Sequence, residues 1–270
     1  MAKSDTVFGG SIPALYDRYL GPLIFAPYAA DLARRLKDMS EGTVLETAAG
    51  TGIVTRELAR TLPESVGITA TDLNQPMVDF AAARSDAGRI SWRQADALKL
   101  PFADATFDVV VCQFGAMFFP DKRAGYGEAL RVLKPGGRFI FNVWDRIEDN
   151  EFTAVVTDAV AAMFPDDPPN FLARTPHGYH DTAAIRGDLE STGFRHIAIE
   201  TIAHQSRAAS HRDPALAFCQ GTPLRNEIEA RDAGRLSEAT DVAASALAAR
   251  FGTGPIEGKI QAHVITAVGA

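Results

Sequence analysis

A turn of small residues near the start of the chain has the composition of a ligand-binding loop. Val44 and Leu45 begin a predicted strand that runs into the segment 46–52, with the sequence ETAAGTG, and a helix follows at once. Small side chains let the backbone of such a turn approach a ligand closely, and the free N–H groups at the start of the helix can face a carboxylate. Asp72 lies at the predicted end of the next strand, where its carboxylate can accept hydrogen bonds from both hydroxyls of a ribose. These features together indicate an adenosine-type cofactor and leave open which one.

The chain around this turn alternates short β-branched runs with amphipathic segments from about residue 43 to residue 143. This alternation predicts a parallel, doubly wound α/β sheet. The segment 107–112 is nearly continuous apolar sequence, which is typical of a strand buried on both faces. The fifth strand is predicted over 138–143, and further strands over 197–202 and 259–268. Ligands gather at the carboxyl edge of such a sheet, so the turn is expected to lie at that edge.

Two regions outside this alternation are predicted to be helical. Residues 12–37 form the first, with a break expected near Gly21 and Pro22. Residues 215–249 form the second, which is rich in alanine and leucine. This second region either covers a pocket or forms a dimer face, and the sequence does not separate the two.

Three further motifs follow the turn along the chain. Asp96 and Ala97 come after the third predicted strand, Gln113 and Phe114 come after the fourth, and the segment 130–137 (LRVLKPGG) leads into the fifth. With these motifs in place, the sequence from the first strand to the fifth closely resembles the class I S-adenosylmethionine (SAM)-dependent methyltransferases. The resemblance is strongest to the type-11 group, whose members methylate small molecules. As a set the motifs are specific, although each alone would be weak.

The resemblance implies cofactor contacts for residues in all of these motifs. Glu46 would lie near the methionine moiety, and Asp72 would hold the ribose. Asp96 would accept a hydrogen bond from the adenine amino group, while Gln113 and Phe114 would lie beside the sulfonium. The complete set of implied cofactor-binding residues is Glu46, Ala48, Gly50, Thr51, Gly52, Asp72, Leu73, Met77, Asp96, Ala97, Gln113 and Phe114.

One position of the turn departs from the pattern of the family. Ala48 stands where the family has its first glycine, and its methyl group is expected to tighten the turn without blocking it. The adenine side follows the pattern, since Leu73 and Met77 would pack near the base and the Ala97 N–H would meet a ring nitrogen.

The resemblance also implies a Rossmann-like, mostly parallel sheet of seven strands with helical additions. We predict a helical N-terminal lid over residues 1–40 and a SAM-binding core over 41–145. A substrate cap inserted after the fifth strand is predicted over 146–180. The remainder of the core then occupies 181–270, with a helical insertion at about 213–250.

The methyl acceptor is expected to be a small hydrophobic or aromatic metabolite, because aromatic residues are concentrated where its pocket should form. Tyr16 and Tyr19 resemble lid tyrosines of related enzymes that cover the SAM carboxylate. The candidate pocket residues are Tyr16, Tyr19, Met117, Phe118, Phe171 and Tyr179. The alternative is that these aromatic side chains only join the cap to the core.

Methyl transfer from a sulfonium is an in-line displacement, in which alignment of the reactants supplies much of the rate enhancement. A base is needed only if the acceptor loses a proton. His177, His180 and His204 are candidate bases, but each of them could be structural or solvated, so no base is assigned. Whether oxygen, nitrogen or carbon is methylated also stays open.

The overall composition disfavours several classes of partner. The formal net charge is −7, which disfavours nucleic acid because phosphate binding needs clustered cations. No apolar stretch is long enough to span a membrane, and the first residues lack the apolar core of a signal peptide. The chain has two cysteines and no zinc-like His/Cys spacing. We therefore expect a cytoplasmic protein that acts on a small molecule without a bound metal; a homodimer remains an open alternative.

Two other functions compete with methyl transfer. A nicotinamide adenine dinucleotide (NAD)-dependent oxidoreductase shares the strand, turn and ribose carboxylate, but it requires a Gly-x-Gly-x-x-Gly turn. Here Gly50 and Gly52 are followed by Ile53, Val54 and Thr55. A SAM-binding protein without transferase activity would carry the same cofactor motifs, and a pocket too closed to admit an acceptor would favour it.

Overall fold

A sheet of seven strands forms the centre of the computed structural model, which describes residues 12–85 and 88–269. The strands are β1 (Gly42–Glu46), β2 (Val66–Asp72), β3 (Ile90–Gln94), β4 (Phe107–Gln113), β5 (Leu133–Trp144), β6 (Arg195–Ala208) and β7 (Ile256–Val268). Their order across the sheet is β3-β2-β1-β4-β5-β7-β6. Strand β7 pairs antiparallel with both β5 and β6, whereas the pairs formed by β1 to β5 are parallel. The predicted Rossmann-like, mostly parallel seven-stranded sheet is confirmed.

Helices cover both faces of this sheet. The first helices are α1 (Ile12–Leu15), a π-helical stretch (Tyr16–Phe25) and α2 (Ala26–Arg34). The helices that connect the parallel strands are α3 (Ile53–Thr61), α4 (Gln75–Ala82) and α5 (Lys122–Val132). Those that follow β5 are α6 (Glu151–Ala161), α7 (Phe171–Arg174), α8 (Thr182–Thr192), α9 (Arg212–Gly221), α10 (Leu224–Arg231) and α11 (Leu236–Phe251). Short 3-10 helices occupy Ala116–Phe118, Ile147–Asp149 and Ala233–Arg235.

Strand β4 shows why the sheet is covered on both sides. Successive side chains of a strand point to opposite faces. Val110 and Cys112 belong to one apolar cluster, while Val109 and Val111 belong to another. All four are buried, as the continuous apolar run predicts for a central parallel strand.

Three details differ from the sequence-based expectations. The strand predicted over 197–202 is longer, because β6 pairs with β7 along Arg195–Ala208. The break expected near Gly21 and Pro22 is absent, because the π-helical stretch carries the chain through both residues into α2. A π-helical turn is wider than an α-helical one, which gives the Pro22 ring room beside the preceding turn. Strand β5 begins at Leu133 rather than at residue 138, since Leu133 pairs with Phe107 before a shift in register.

The order of the strands fixes where a ligand can bind. The chain runs outward from β1 to β3 and then returns to β4 on the other side of β1. Such a reversal opens a crevice at the carboxyl ends of the two central strands. Glu46 ends β1 and Gln113 ends β4, so both lie at this crevice.

Two remaining expectations concern the ends of the chain and the membrane. Residues 1–11 of the predicted lid lie outside the described residues. Within the ranges that are described, no helix combines the length and the apolar character needed to cross a bilayer. The division into lid, core and cap stays a prediction.

Candidate functional site

Asp72 links the end of β2 to the turn that follows β1. Its Oδ2 accepts a hydrogen bond of 2.9 Å from the Gly50 N–H, and its Oδ1 accepts one of 2.8 Å from the Asn74 N–H. The side chain is buried, and this burial raises the pKa of Asp72 although the backbone hydrogen bonds oppose the shift. Oδ2 still has a second lone pair for a ligand, whereas Oδ1 also accepts a long hydrogen bond of 3.4 Å from the Asn74 Nδ2, which a ligand would have to replace.

Glu46 is the second buried carboxyl group of the site. It is 1% exposed, and the Thr55 hydroxyl donates a hydrogen bond of 2.5 Å to its Oε2. Burial, with a further contribution from the charge of Asp72, raises the pKa of Glu46 to about 8, against the hydrogen bond from Thr55 and the charge of Arg56. The unliganded protein therefore holds Glu46 largely protonated at neutral pH, and a cation placed beside it would favour the carboxylate.

The turn between β1 and α3 contains three residues with left-handed backbone conformations. Gly50 and Gly52 have φ angles of 56° and 81°, and Ala48 has a φ of 53°. The methyl group of Ala48 fits because residue 115 is glycine: a Cβ on Gly115 would lie only 2.4 Å from the Ala48 Cβ. The departure from the family pattern at position 48 is thus accommodated by a glycine on the neighbouring strand end.

We expect Ala48→Gly to raise the free energy of unfolding by about 0.5–1 kcal/mol. The left-handed conformation costs an alanine about 1–2 kcal/mol, and the greater freedom of glycine in the unfolded chain offsets part of that gain. Urea denaturation measures the change. Ala105, which has the same φ of 53° in an exposed loop, supplies the matched control, since Ala105→Gly should stabilise the protein to a similar extent. A loss of stability in Ala48→Gly alone would show that the methyl contacts outweigh the backbone strain.

A cavity of about 340 Å3, which we call the main cavity, opens along the carboxyl edge of the sheet. Leu73 lies at this cavity with 47% of its surface exposed, so its apolar side chain is available to pack against a flat ligand. The predicted cofactor residues that line the main cavity are Ala48, Gly50, Asp72, Leu73, Met77, Asp96, Ala97, Gln113 and Phe114. The sequence reasoning did not include Asn74, Ala95, Leu98, Gly115, Phe119 and Pro120, which also line it. These residues could have been found from the sequence, because they follow predicted strands or lie beside predicted residues.

Glu46 and Thr51 line a smaller adjoining cavity of about 20 Å3, which we call the small cavity. Gly52 lines neither cavity: a Cβ there would lie 2.8 Å from Trp92 and 3.1 Å from Ala81. Glycine at position 52 therefore allows the start of α3 to pack closely against β3 and α4.

Two buried polar atoms at the small cavity lack a hydrogen-bond partner within the described part of the chain. They are the Gln113 Oε1 and the Thr51 Oγ1. The Gln113 Nε2 is used, because it donates a hydrogen bond of 3.3 Å to the Phe25 carbonyl. Unsatisfied buried polar atoms are rare in native proteins. Together with Glu46, they form a set of groups that could bind the ammonium and carboxylate of an amino-acid moiety.

A third cavity, of about 60 Å3, lies on the other side of Phe114 and has mainly apolar walls; we call it the apolar cavity. Phe114 and Trp144 stack with ring centroids 3.7 Å apart and planes within 4°. Among the described residues that line the apolar cavity, none is Asp, Glu, Lys or Arg. Its aromatic lining residues are Tyr16, Phe25, Phe114, Phe118, Trp144, Phe171, His177 and Phe218.

Tyr16 lines all three cavities. Its ring stacks on Phe25 with centroids 4.9 Å apart, and burial and the charge of Asp72 raise its pKa, so the hydroxyl stays protonated. The neighbouring Asp17 forms an ion pair of 3.0 Å with Arg56, whose Nη1 donates to the Thr51 carbonyl at 2.6 Å. The π-helical stretch is thereby attached to the turn that it covers.

The other predicted pocket residues are divided between the apolar cavity and the surrounding packing. Met117, Phe118 and Phe171 line the apolar cavity. Tyr19 and Tyr179 do not line any of the three cavities as the described residues form them. The Tyr179 hydroxyl donates instead to Asp188 at 2.9 Å.

The three candidate bases also lie in different surroundings. His177 lines the apolar cavity. The His180 Nδ1 lies 2.8 Å from the His177 carbonyl, and the His204 ring packs against Tyr28 with centroids 4.8 Å apart. Among the described residues, His180 and His204 are not lining residues of these cavities.

Comparison with known proteins places this site in a familiar context. Residues 45–141 match the family model described as a methyltransferase domain. The ubiquinone/menaquinone biosynthesis C-methyltransferase UbiE of Geotalea daltonii is 40% identical over 111 residues, which cover 40% of this chain and 47% of that protein. The match thus spans about half the length of that relative. The demethylmenaquinone methyltransferase of Corynebacterium kroppenstedtii is 30% identical over 176 residues, or 61% of this chain and 72% of that protein.

A solved structure shows the same fold. Phosphoethanolamine N-methyltransferase 2 of Haemonchus contortus, in complex with S-adenosyl-L-methionine, aligns with a TM-score of 0.60 at 17% sequence identity. The alignment covers 95% of this chain and 56% of that one. At this level of identity the likeness shows the fold alone.

Proposed function

Because this chain belongs to the class I SAM-dependent methyltransferases, we propose that it transfers the methyl group of SAM to a small, uncharged aromatic molecule. The observation that carries the proposal is the meeting of the main cavity and the apolar cavity at a shared wall. Tyr16, Phe114 and Phe118 line both. A ligand with a polar nucleoside part and a ligand with an apolar ring can therefore approach each other at this wall.

The residues of the main and small cavities fit SAM. Asp72 would accept hydrogen bonds from the ribose hydroxyls, and Asp96 with the Ala97 N–H would bind the adenine edge; all three residues line the main cavity. The unsatisfied Gln113 Oε1 and Thr51 Oγ1 suit the ammonium and carboxylate of the methionine moiety. When bound, SAM supplies an already activated methyl group, so the main task of the protein is to hold the acceptor in line with it.

The walls of the apolar cavity define the chemical class of the acceptor. A buried ammonium or carboxylate costs several kcal/mol unless a counter-charge or hydrogen bonds compensate it, and the described lining residues offer no counter-charge. Free amines and acids are therefore disfavoured, and uncharged aromatic rings are favoured by the aromatic walls. One of the two relatives is named for ubiquinone/menaquinone biosynthesis and the other for demethylmenaquinone, and a quinone-type ring belongs to this class.

The narrowness of the apolar cavity is the one observation that favours a SAM-binding protein without transferase activity. A cavity that admits benzene measures about 150 Å3, whereas this one measures about 60 Å3. An acceptor ring therefore requires the cavity to widen, and the π-helical stretch supplies four of its lining residues, Tyr16, Leu20, Ile24 and Phe25. The ion pair between Asp17 and Arg56 is partly exposed, and such pairs contribute only about 0–1 kcal/mol. This ion pair therefore adds little to the free energy needed to move the π-helical stretch and widen the cavity.

Transfer of a labelled methyl group tests the proposal. The protein is incubated with methyl-labelled SAM and matched panels of uncharged aromatic compounds, amines and carboxylic acids. We expect label in the uncharged aromatic compounds and equal formation of S-adenosylhomocysteine. A reaction without protein measures spontaneous methylation, and the Asp72→Asn variant should transfer less label than wild type. Transfer only to amines or acids would overturn the acceptor class, and SAM binding without transfer to any panel would support the non-transferase alternative.

A further inference from the structure

We infer that the Nε2 of His177 accepts the proton of a hydroxyl group on the acceptor, and that the acceptor is therefore a hydroxylated aromatic compound. This inference rests on the proposed function and specifies its substrate class. His177 is the lining residue of the apolar cavity that carries an imidazole. The inference depends on which ring nitrogen carries the proton and on what the neighbouring polar groups are already bonded to.

The Nδ1 of His177 lies 2.7 Å from the backbone carbonyl oxygen of Asp145. A carbonyl oxygen only accepts hydrogen bonds, so Nδ1 must carry the proton. Burial lowers the pKa of His177 to about 4, and the ring is neutral at physiological pH. Nε2 is therefore the unprotonated nitrogen, and it has no hydrogen-bond partner among the described residues.

Asp145, whose carbonyl accepts this bond, is itself held by several contacts. The Asp145 carboxylate accepts hydrogen bonds of 2.7 Å from the Gln261 amide and from the Arg146 N–H, and it lies 3.2 Å from the His263 Nε2. These contacts fix the end of β5 that carries the Asp145 carbonyl. Because Nδ1 points to that carbonyl, the Nε2 side of the ring is left for the apolar cavity.

The charged and titratable groups around His177 are Asp145, Glu148 and His180. The two carboxyl groups raise its pKa and His180 lowers it, but all three act less strongly than burial. The imidazole therefore remains neutral across the physiological range whatever the protonation state of His180.

Two other polar side chains of the apolar cavity, Asn150 and Thr222, are bonded elsewhere. The Asn150 Nδ2 donates to the Arg146 carbonyl at 3.1 Å, and its Oδ1 accepts from the Gln261 N–H at 3.1 Å. The Thr222 hydroxyl donates to the Phe218 carbonyl at 2.7 Å and accepts from the Leu224 N–H at 3.1 Å. These bonds leave the His177 Nε2 as the basic atom available to an acceptor.

The proton moves as follows. The acceptor oxygen, or a ring carbon that it activates, forms a bond to the methyl carbon, and the carbon–sulfur bond breaks with its electron pair remaining on sulfur. The hydroxyl proton passes to Nε2, and its bonding electrons remain on the acceptor. A hydroxyl group whose oxygen or ring is being alkylated becomes a far stronger acid than an imidazolium ion. A weak base such as His177 therefore suffices, and the imidazolium then releases the proton to water.

A pair of isosteric ligands tests the inference without turnover. Protein saturated with S-adenosylhomocysteine is titrated with 2-naphthol and with 2-methylnaphthalene, which differ in a hydroxyl and a methyl group. We expect wild type to bind 2-naphthol about tenfold more tightly, as one hydrogen bond worth about 1.4 kcal/mol gives. In His177→Phe this preference should disappear while S-adenosylhomocysteine binds as before. Equal binding of the two ligands to wild type, or a preference kept in His177→Phe, would overturn the inference.

A second measurement separates proton transfer from simple positioning. With labelled SAM and 2-naphthol, His177→Phe should lower kcat by about 10²–10⁴-fold. With an electron-poor naphthol that is already ionised at the assay pH, the loss should be much smaller. His211→Phe, at a histidine outside the three cavities, is the control and should change neither rate. An equal loss of kcat for both naphthols would show that His177 does not accept the proton. If neither 2-naphthol nor 2-methylnaphthalene binds to the wild-type protein, the proposed class of acceptor is itself contradicted.

Discussion

Replacing Asp72 with asparagine should weaken SAM binding by a factor on the order of 10²–10³. Oδ2 offers a free lone pair beside the Gly50 N–H, and the second lone pair of Oδ1 holds only a long hydrogen bond of 3.4 Å from the Asn74 Nδ2, which a ribose hydroxyl can replace. Both ribose hydroxyls can therefore donate to a charged acceptor in a buried site, and each such bond contributes about 1.5–3 kcal/mol. An amide retains a single, uncharged acceptor oxygen. Calorimetric titration with SAM and with S-adenosylhomocysteine measures the loss.

The control for this variant is an aspartate outside the site that also accepts hydrogen bonds from backbone N–H groups. Asp181 caps α8 and accepts hydrogen bonds of 2.8 and 3.3 Å from the N–H groups of Ala183 and Ala184. Asp181→Asn should lower the stability slightly and leave SAM affinity unchanged. If folded Asp72→Asn binds SAM within threefold of wild type, the ribose contact is not made by Asp72.

SAM should bind about 50-fold more tightly at pH 8 than at pH 6. The pKa of Glu46 is raised to about 8, chiefly by burial, so most of the unliganded protein carries a proton there at pH 6. Placing the SAM ammonium beside Glu46 requires the carboxylate, and the proton must leave. Titrations in two buffers with different ionisation enthalpies should detect proton release at pH 7. In Glu46→Gln both the release and the pH dependence should vanish.

The raised pKa of Glu46 also makes the stability of the unliganded protein fall as the pH rises. The pKa of Glu46 is higher in the folded protein than its ordinary value of 4.5, so the folded state holds a proton that the unfolded state releases. The resulting stability is fully present below pH 4.5 and is lost as the pH rises through about 8, by up to about 5 kcal/mol. Glu46→Gln should remove this dependence. Glu57 on the neighbouring helix α3 is the control, because its hydrogen bond from Arg60 lowers its pKa and gives the opposite sign. A fall in stability with pH that persists in Glu46→Gln would assign it to another group.

The parts of the site that follow strands directly could be predicted from the sequence. Asp72, Asp96 and Gln113 each come at or just after the end of a parallel strand, and parallel strands bring their carboxyl ends to one edge. Local sequence patterns therefore sufficed to predict that these residues lie close together. The ETAAGTG turn was predictable for the same reason, since a strand, small residues and a helix are adjacent in the chain.

The apolar cavity depends on contacts that no local pattern encodes. Phe218 of α9 and Thr222, which directly follows this helix, line it about two hundred residues after Tyr16, and only the tertiary fold brings them together. Nearness in sequence was misleading as well. Tyr179 lies two residues from His177, yet its hydroxyl is bonded to Asp188. The sequence likewise could not show that Gly115 leaves room for the methyl group of Ala48, because this depends on the distance between the ends of two strands.

Strand β7 lies between β5 and β6, although it follows both along the chain. Strand β6 therefore finds no hydrogen-bonding neighbour in the sheet until β7 has inserted beside β5. Helix α9, with its contribution to the apolar cavity, belongs to the connection between β6 and β7. The main cavity is built largely from β1 to β4 and their loops, which lie closer together in sequence. Because nearby segments lose less chain entropy when they meet, we expect folding to complete the cofactor half of the site first and the acceptor half last.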